Sequence, residues 1–379
     1  MAEPGARTVL LITRNFPPLL GGMEKLNLRM LEGLSATHRT VLIGPAGSAA
    51  HAPAGCTVFQ SPALALPVFL AYAALMSFYA ALRFRPNVSL AGSGLTAPFA
   101  WLCARLSGAR AVVYVHGLDL IADSRIYRAL WLPFIRRCDA VVANSGNTRR
   151  LAESAGVSPE RITVVHPGTD IPEMDTAKAD GFRARFGFGD APLLLSVGRI
   201  TERKGLLPFL RNAWPAVLER YPDAKLAVIG TEPQQALRKD RRSTLADIRA
   251  HLSAAGLDAS VRFLGRVDDA TLTAAYQAAD VHVFPVLDSE DDVEGFGMVA
   301  IEAAANGLPT VAFDAGGVVD AVIEGETGIL VPSGDYSRLA DAIIAEMVDS
   351  TGVQHQDRIR TKFGWEIFSR GIEKTVFLR

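Results

Sequence analysis

Cysteine is scarce in this chain. There are three in 379 residues, Cys56, Cys103 and Cys138, and none sits at the spacing of a metal or redox motif. That excludes a disulfide framework and points to a reducing, cytoplasmic compartment. The seven histidines form no HExxH or similar ligand pair, so no metal site is expected. The opening MAEPGARTVLLI lacks the extended apolar stretch of a signal peptide. Net charge is only −1, which argues against a general polyanion binder, and no nucleic-acid partner is expected. No internal repeat is visible. Charge itself is missing from Cys56 to Leu82, and PALALPVFLAYAALMSFYAAL (62–82) is long enough to span a bilayer. Pro62 and Pro67 shorten the uninterrupted helix, which favours a buried or interfacial helix over a true span. Arg83 and Arg85 follow at once, so peripheral docking on the inner face of an anionic membrane stays open.

What is present is a long α/β pattern. With 49% hydrophobic and 21% charged residues, the chain suits one large or two medium domains. Residues 1–170 carry 16 Lys/Arg against 9 Asp/Glu, or +7; residues 171–379 carry 23 against 31, or −8. Such an imbalance suggests two lobes that meet different partners. Short β-branched runs alternate with helical stretches. Strands are expected at 8–12, 39–44, 87–92, 110–116, 140–145 and 162–167. The pattern then restarts at 193–198, 225–230, 261–265, 281–285, 310–314 and 328–332. The Pro/Gly/Asp-rich stretch at about 167–192 lacks apolar periodicity and reads as the joint. Two doubly wound domains facing across a cleft follow, with ligands expected beyond the carboxyl ends of the strands.

Several strand-end segments carry candidate chemistry. In NFPPLLGGMEK, Gly21 and Gly22 open a helix and could bring backbone N–H groups to a phosphate, or could simply form a tight turn. AGSGLTA (91–97) imitates a dinucleotide fingerprint, but the next strand ends Tyr114-Val115-His116 without the required acid, which argues against a nicotinamide or flavin site. His116 itself could hydrogen-bond a substrate or cap the following segment. In SVGRITERKG, Gly198 allows close approach while Arg199 and Lys204 supply cations that a diphosphate would need. The run DSEDD (288–292) reads as a solvated loop rather than a metal site, and QQALRKDRRST (234–244) as a solvated charged segment. EGFGMVAIE (294–302) places Glu294 before a helix start. Gly295 and Gly297 expose the amides of Phe296, Gly297 and Met298 there. Glu302 lies inside an otherwise apolar helix, where a carboxylate needs a polar partner.

Together these segments resemble the retaining glycosyltransferases of family 4, which have the GT-B fold. The resemblance rests on E-x7-E as EGFGMVAIE, on GGMEK, YVHG, VVHPGTD, SVGRITERKG, FLGRV and TGILVPSGD, in the family's order. It implies an acceptor-binding domain at 1–170, a nucleotide-sugar-binding domain at 171–360, and a terminal helix (361–379) returning to the first domain. It implies that Gly22 lies by the donor diphosphate, that Arg199 and Lys204 bind it, and that Glu294 and the amides of 296–298 hold sugar and phosphate oxygens. Glu302 would accept from the ribose diol, the backbone at Val267 would meet the base, and His116 would sit near the reacting centre. No metal or other cofactor is implied. The reaction implied is hexose transfer from GDP-mannose or a UDP-sugar to a glycan or lipid-linked acceptor in cell-envelope biosynthesis. A transferase with a soluble or sugar-phosphate acceptor, and a non-catalytic nucleotide-sugar-binding module, are the alternatives. HPGTD in place of N-G-V-D, and IGTEP in place of G-x-G-P, depart from the commoner pattern.

Overall fold

The computed structural model describes residues 7–122, 124–232, 245–288, 292–348 and 355–378. The charged stretch 234–244 and most of the acidic run 288–292 therefore lie outside the described residues.

Among the described residues, thirteen strands form two parallel sheets. The first holds β1 (Thr8–Ile12), β2 (Arg39–Gly44), β3 (Thr57–Gln60), β4 (Val88–Ala91), β5 (Arg110–Val115), β6 (Ala140–Ala143) and β7 (Ile162–Val164). Their order is β3-β2-β1-β4-β5-β6-β7. The second holds β8 (Leu193–Val197), β9 (Lys225–Ile229), β10 (Val261–Gly265), β11 (Val281–Phe284), β12 (Thr310–Phe313) and β13 (Gly328–Val331), in the order β10-β9-β8-β11-β12-β13. Each order reverses once, between β1 and β4 and between β8 and β11. Those reversals are where ligands bind in open α/β sheets.

The strands are apolar on both faces because helices cover both sides. In β1, Leu10 and Ile12 pack into one core and Val9 and Leu11 into another. In β8, Leu194 faces one core while Leu193 and Leu195 face the other. Of the strands, only β3 was absent from the sequence reading. It is a four-residue edge strand between turn-forming segments, with no residue fully buried.

The chain divides into two compact units, Met1–Gly168 with Trp365–Arg379, and Thr169–Gly364. The final helix, Trp365–Phe377, lies against the helix Gly22–Ser35, and Phe368, Ile372 and Val376 join the core formed by Val9 and Leu11. The approach is close: a Cβ on Gly33 would lie 2.4 Å from Ser369 Oγ. The preceding helix, His355–Phe363, belongs to the second unit, so the terminal helix begins at Trp365, four residues later than the expected 361.

The stretch read as the joint contains a helix, Thr176–Phe186. Asp175 caps it by accepting from the Lys178 amide at 3.1 Å. Only Ala179 and Phe182 are buried, so there was too little apolar repeat to reveal it.

The uncharged segment forms the helix Leu66–Phe84, with Pro67 in its first turn. It is the single helix among the described residues that is long and apolar enough to cross a membrane. Unlike an ordinary surface helix, it is apolar on its outward as well as its inward face. Phe69, Ala73, Ser77, Ala80 and Ala81 face the protein, while Leu75, Phe78, Tyr79 and Leu82 form a stripe that faces outward. Leu75 and Leu82 are 62% and 60% exposed.

Candidate functional site

A cluster of charged side chains in the second unit forms where β8 and β11 end. Gly198 continues β8 by donating to Ile229 O at 2.9 Å, and the Lys204 side chain folds back over it. Gly205 has φ +68 and a Cβ there would lie 1.9 Å from Pro285 O, so only glycine lets this loop close on the end of β11. The Leu287 amide then donates to Arg203 O at 2.9 Å. Two loops separated by some eighty residues of sequence are thus laced together by backbone.

Side chains tighten that lacing. Lys204 Nζ donates to Glu294 Oε2 at 2.6 Å. Arg203 donates to the same oxygen, and its Nε lies 2.9 Å from Asp292 Oδ1. Lys204 also stands 4.5 Å from the centroid of the Phe284 ring. Arg203, Lys204 and Glu294 are largely buried, and Asp292 is half-exposed. Burial pushes the Glu294 carboxyl up, but Lys204 and then Arg203 outweigh it and hold its pKa at about 2. Burial pulls the Lys204 ammonium down, with Glu294 opposing. Beneath them, His282 is fully buried; burial and then Lys204 lower its pKa to about 3, so the ring is neutral. Its Nδ1 contacts Thr310 Oγ1 at 3.0 Å.

The sequence reading assigned Lys204 and Glu294 to different groups of a ligand. The structure places them on each other. It also adds Arg203 and Asp292, which that reading missed. Arg203 adjoins Lys204 in ERKG, but nothing local shows that it turns inward. Arg199, by contrast, is exposed and makes no ion pair among the described residues.

Beyond Glu294 the loop is pinned by glycines. Gly317 donates to Glu294 O at 2.8 Å, and a Cβ on Gly317 would lie 2.1 Å from Gly295 O. Phe296 is buried in the core beside Phe363. Its side chain is an anchor, so only its backbone could serve a ligand. Gly297, with φ +93, is the N-cap of the helix Met298–Ala305, and no side chain caps that helix. The first-turn amides therefore remain as an anion-favouring helix start beside the cationic cluster.

Glu302, one turn into this helix, is half-buried. Its Oε2 accepts from Tyr276 Oη at 3.2 Å. Burial and then Glu302 raise the Tyr276 phenol well above its ordinary pKa, so it stays a donor. Tyr276 was not foreseen, because it lies on the helix Asp269–Ala278. Val267 lies in the loop between β10 and that helix and packs partly on the adjoining core. A cavity of about 650 Å³ opens past the ends of β8, β9 and β10, lined by Gly230, Thr231, Glu232, Arg249 and Phe263 among others.

In the first unit, Gly21 caps the helix Gly22–Ser35, again without a side-chain cap, and Asn15 Nδ2 donates to Glu24 Oε1 at 2.9 Å beside it. His116 follows β5. Its backbone amide donates to Asp119 Oδ2 at 3.0 Å, and its Nε2 lies 3.0 Å from Gly92 O. A carbonyl only accepts, so Nε2 carries the proton of this contact, which leaves Nδ1 as the nitrogen turned to other partners. The fingerprint-like glycines serve packing. A Cβ on Gly92 would lie 2.2 Å from Asn27 Oδ1, and one on Gly94 2.7 Å from Tyr127 Oη. They admit protein atoms where a dinucleotide pyrophosphate would need to come, in line with the missing ribose acid.

Among the described residues no group of histidine, cysteine and carboxylate side chains could hold a metal ion. The second unit instead combines buried cations, a carboxylate held ionised and an uncapped helix start. That set suits a ligand with phosphate and hydroxyl groups.

Comparison with known proteins agrees. Residues 20–172 match the model for Glycosyltransferase Family 4, and residues 191–349 match that for Glycosyl transferases group 1. A GDP-mannose-dependent alpha-(1-6)-phosphatidylinositol monomannoside mannosyltransferase of Mycolicibacterium smegmatis is 28% identical over 88% of this chain and 88% of its own. The Mycobacterium tuberculosis protein of the same name is 27% identical over 94% and 95%. Among solved structures, Anabaena Alr3699/HepE in complex with UDP superposes with a TM-score of 0.78 at 19% identity, over 97% of this chain and 99% of that one. Sucrose-phosphate synthase from Thermosynechococcus elongatus gives 0.75 at 23%, over 97% and 98%. The two structures establish the fold, and the two family models between them span both sheets. The chain belongs to glycosyltransferase family 4 and has the GT-B fold.

Proposed function

We propose that this glycosyltransferase moves a hexose from a nucleoside-diphosphate sugar to a lipid-linked acceptor, with retention of anomeric configuration. The observation that carries this is the Arg203–Lys204–Glu294 cluster beside the uncapped start of the helix Met298–Ala305. Lys204 and the exposed Arg199 take the donor diphosphate, with the amides of Phe296, Gly297 and Met298 on its oxygens and Gly198 leaving room for it. Gly21 and Gly22 form a further uncapped helix start, in the first unit, that suits a phosphate. On binding, the diphosphate competes with Glu294 for Lys204, and Glu294, still tied to Arg203, accepts from sugar hydroxyls. Glu302 accepts from the ribose diol, oriented by Tyr276. The cavity past β8–β10 takes the base, and the Val267 backbone, two residues beyond Gly265 in its lining, meets it. In the transfer, the bond from the anomeric carbon to the phosphate oxygen breaks and a bond to the acceptor oxygen forms on the same face. The hydroxyl proton passes to the departing phosphate. Catalysis is then positioning plus stabilisation of the leaving charge, and Arg199 and Lys204 supply the charge that a metal would otherwise bring. His116 serves as a hydrogen-bonding group through Nδ1.

The mannosyltransferase relatives favour GDP-mannose and a phosphatidylinositol-type glycolipid as the first substrates to test. The outward stripe of Leu75, Phe78, Tyr79 and Leu82, next to exposed Arg83 and Arg85, favours docking on an anionic bilayer. A panel of GDP-mannose, UDP-glucose and UDP-N-acetylglucosamine, each with the glycolipid in anionic vesicles and with a soluble acceptor, tests both points. Transfer from GDP-mannose to the vesicle acceptor is expected. Replacing Leu75, Phe78 and Leu82 with serine is expected to abolish vesicle binding while leaving donor binding intact. Transfer confined to soluble acceptors would remove the lipid reading, and a silent panel would leave a nucleotide-sugar-binding module.

Tyr276→Phe is expected to raise the donor KM about tenfold with kcat changed less than about twofold, since one hydrogen bond to an ionised group is worth ~1.5 kcal/mol. An unchanged KM in initial-rate measurements would count against the ribose role of Glu302.

A further inference from the structure

A second cavity, about 810 Å³, lies at the opposite end of the first sheet from His116 and Gly92. Arg7 immediately precedes β1, Arg85 to Asn87 precede β4, and Arg110 opens β5; all line it, with Asp139 and Phe377. The strands are parallel, so these residues share the amino-terminal edge of the sheet.

The charge there is unbalanced. Asp139 is the one carboxylate in the lining, and it is already engaged: its Oδ2 accepts from the Ala111 amide at 2.8 Å and its Oδ1 from Arg105 at 3.3 Å. Three guanidinium groups line the cavity, and the same Asp139 also bears on Arg110. Arg7 lies over the Phe377 ring at 4.8 Å. Arg85 adopts φ +43 at the end of the helix Leu66–Phe84, where glycine would be the unstrained choice. Arg110 matters most. Its Nε and Nη1 are buried and have no hydrogen-bond partner. Buried N–H donors on a cation are costly unless something accepts from them.

We propose that this cavity is a second, non-donor site for a phosphate group. Three arginines less one aspartate leave a charge of about +2, which a phosphomonoester dianion neutralises and a carboxylate does not. The arginines lining the cavity can donate charge-assisted hydrogen bonds to phosphate oxygens. The phosphate could be free or borne by a lipid headgroup. Exposed Leu82 and Leu106 stand just before the two segments that line the cavity, Arg85–Val88 and Ser107–Arg110. This inference does not depend on the donor or acceptor assigned above.

The test is calorimetric titration of inorganic phosphate into the full-length protein with excess GDP and UDP, which fill the donor site. A second arm is flotation with phosphatidylcholine vesicles with and without phosphatidic acid. One phosphate per chain is expected, with affinity lowered on the order of tenfold by Arg110→Met and by Arg7→Met, and unchanged in Lys204→Ala. Arg7 is exposed, so its variant guards against misfolding of the Arg110 variant. If free phosphate does not bind but flotation needs both phosphatidic acid and these arginines, the site is for lipid phosphate. Absence of both effects in the wild type, or wild-type behaviour of both variants, overturns the proposal.

Discussion

Lys204→Ala is expected to lower turnover by on the order of 10²- to 10³-fold at saturating donor, with the fold retained. In the proposed reaction the departing nucleoside diphosphate gains negative charge, and Lys204 is the largely buried cation at the β8 end assigned to meet it. Loss of one preorganised electrostatic contact to a developing charge costs about that much in rate. Burial lowers the Lys204 pKa but Glu294 holds the proton on, so the side chain arrives charged and fixed rather than being recruited from solvent. The fold survives because Glu294 keeps its ion pair with Arg203. Lys204→Arg, which preserves charge but not the compact ammonium, is expected to recover part of the rate. Initial rates with a thermal melt on each variant decide the matter. Turnover within about threefold of wild type, with a lowered melting temperature, would show that Lys204 merely neutralises Glu294.

The architecture was legible from sequence because parallel strands buried on both faces are continuous apolar runs. Every such run, from TVLLI at Thr8–Ile12 to GILV at Gly328–Val331, is a strand. Reading failed where burial was slight. TVFQ at Thr57–Gln60 is a half-buried edge, and Thr176–Phe186 buries only two side chains. The site was legible as a set of segments but not as a set of contacts. Glycines and charges at strand ends could be picked out one loop at a time. Nothing in ERKG shows that Arg203 turns inward while Arg199 stays in solvent, because that depends on Asp292 and Glu294, some ninety residues on. Tyr276 escaped for the same reason, being recruited by Glu302 across two helices. Nor can a sequence show that Gly205 is needed to clear Pro285 O.

Arg203→Met is expected to destabilise the second unit and to move its acid unfolding to higher pH. The Glu294 carboxyl has its pKa at about 2 in the folded chain against an ordinary 4.5. A depressed carboxylate contributes stability that is present above its unfolded value, here above about pH 4.5, and lost as pH falls towards 2. The full drop corresponds to ~3 kcal/mol, shared between Lys204 and Arg203. Removing one partner of a buried pair costs about 3–5 kcal/mol. Lys204 still pairs with Glu294, and Asp292 is half-exposed, so ~2 kcal/mol is the expected loss here. That is a fall of about 5 °C in the melting temperature of a unit this size. Arg203→Lys retains a charge but cannot span Asp292 and Glu294 together, and should fall between. The donor KM is expected to rise as well, because Glu294 loses the tether that holds it when a diphosphate claims Lys204. Circular dichroism followed from pH 7 down to pH 2 separates the roles. An unchanged acid midpoint in Arg203→Met would mean that Lys204 alone keeps Glu294 ionised. Arg203 would then be a tie between loops rather than the holder of the sugar-facing carboxylate.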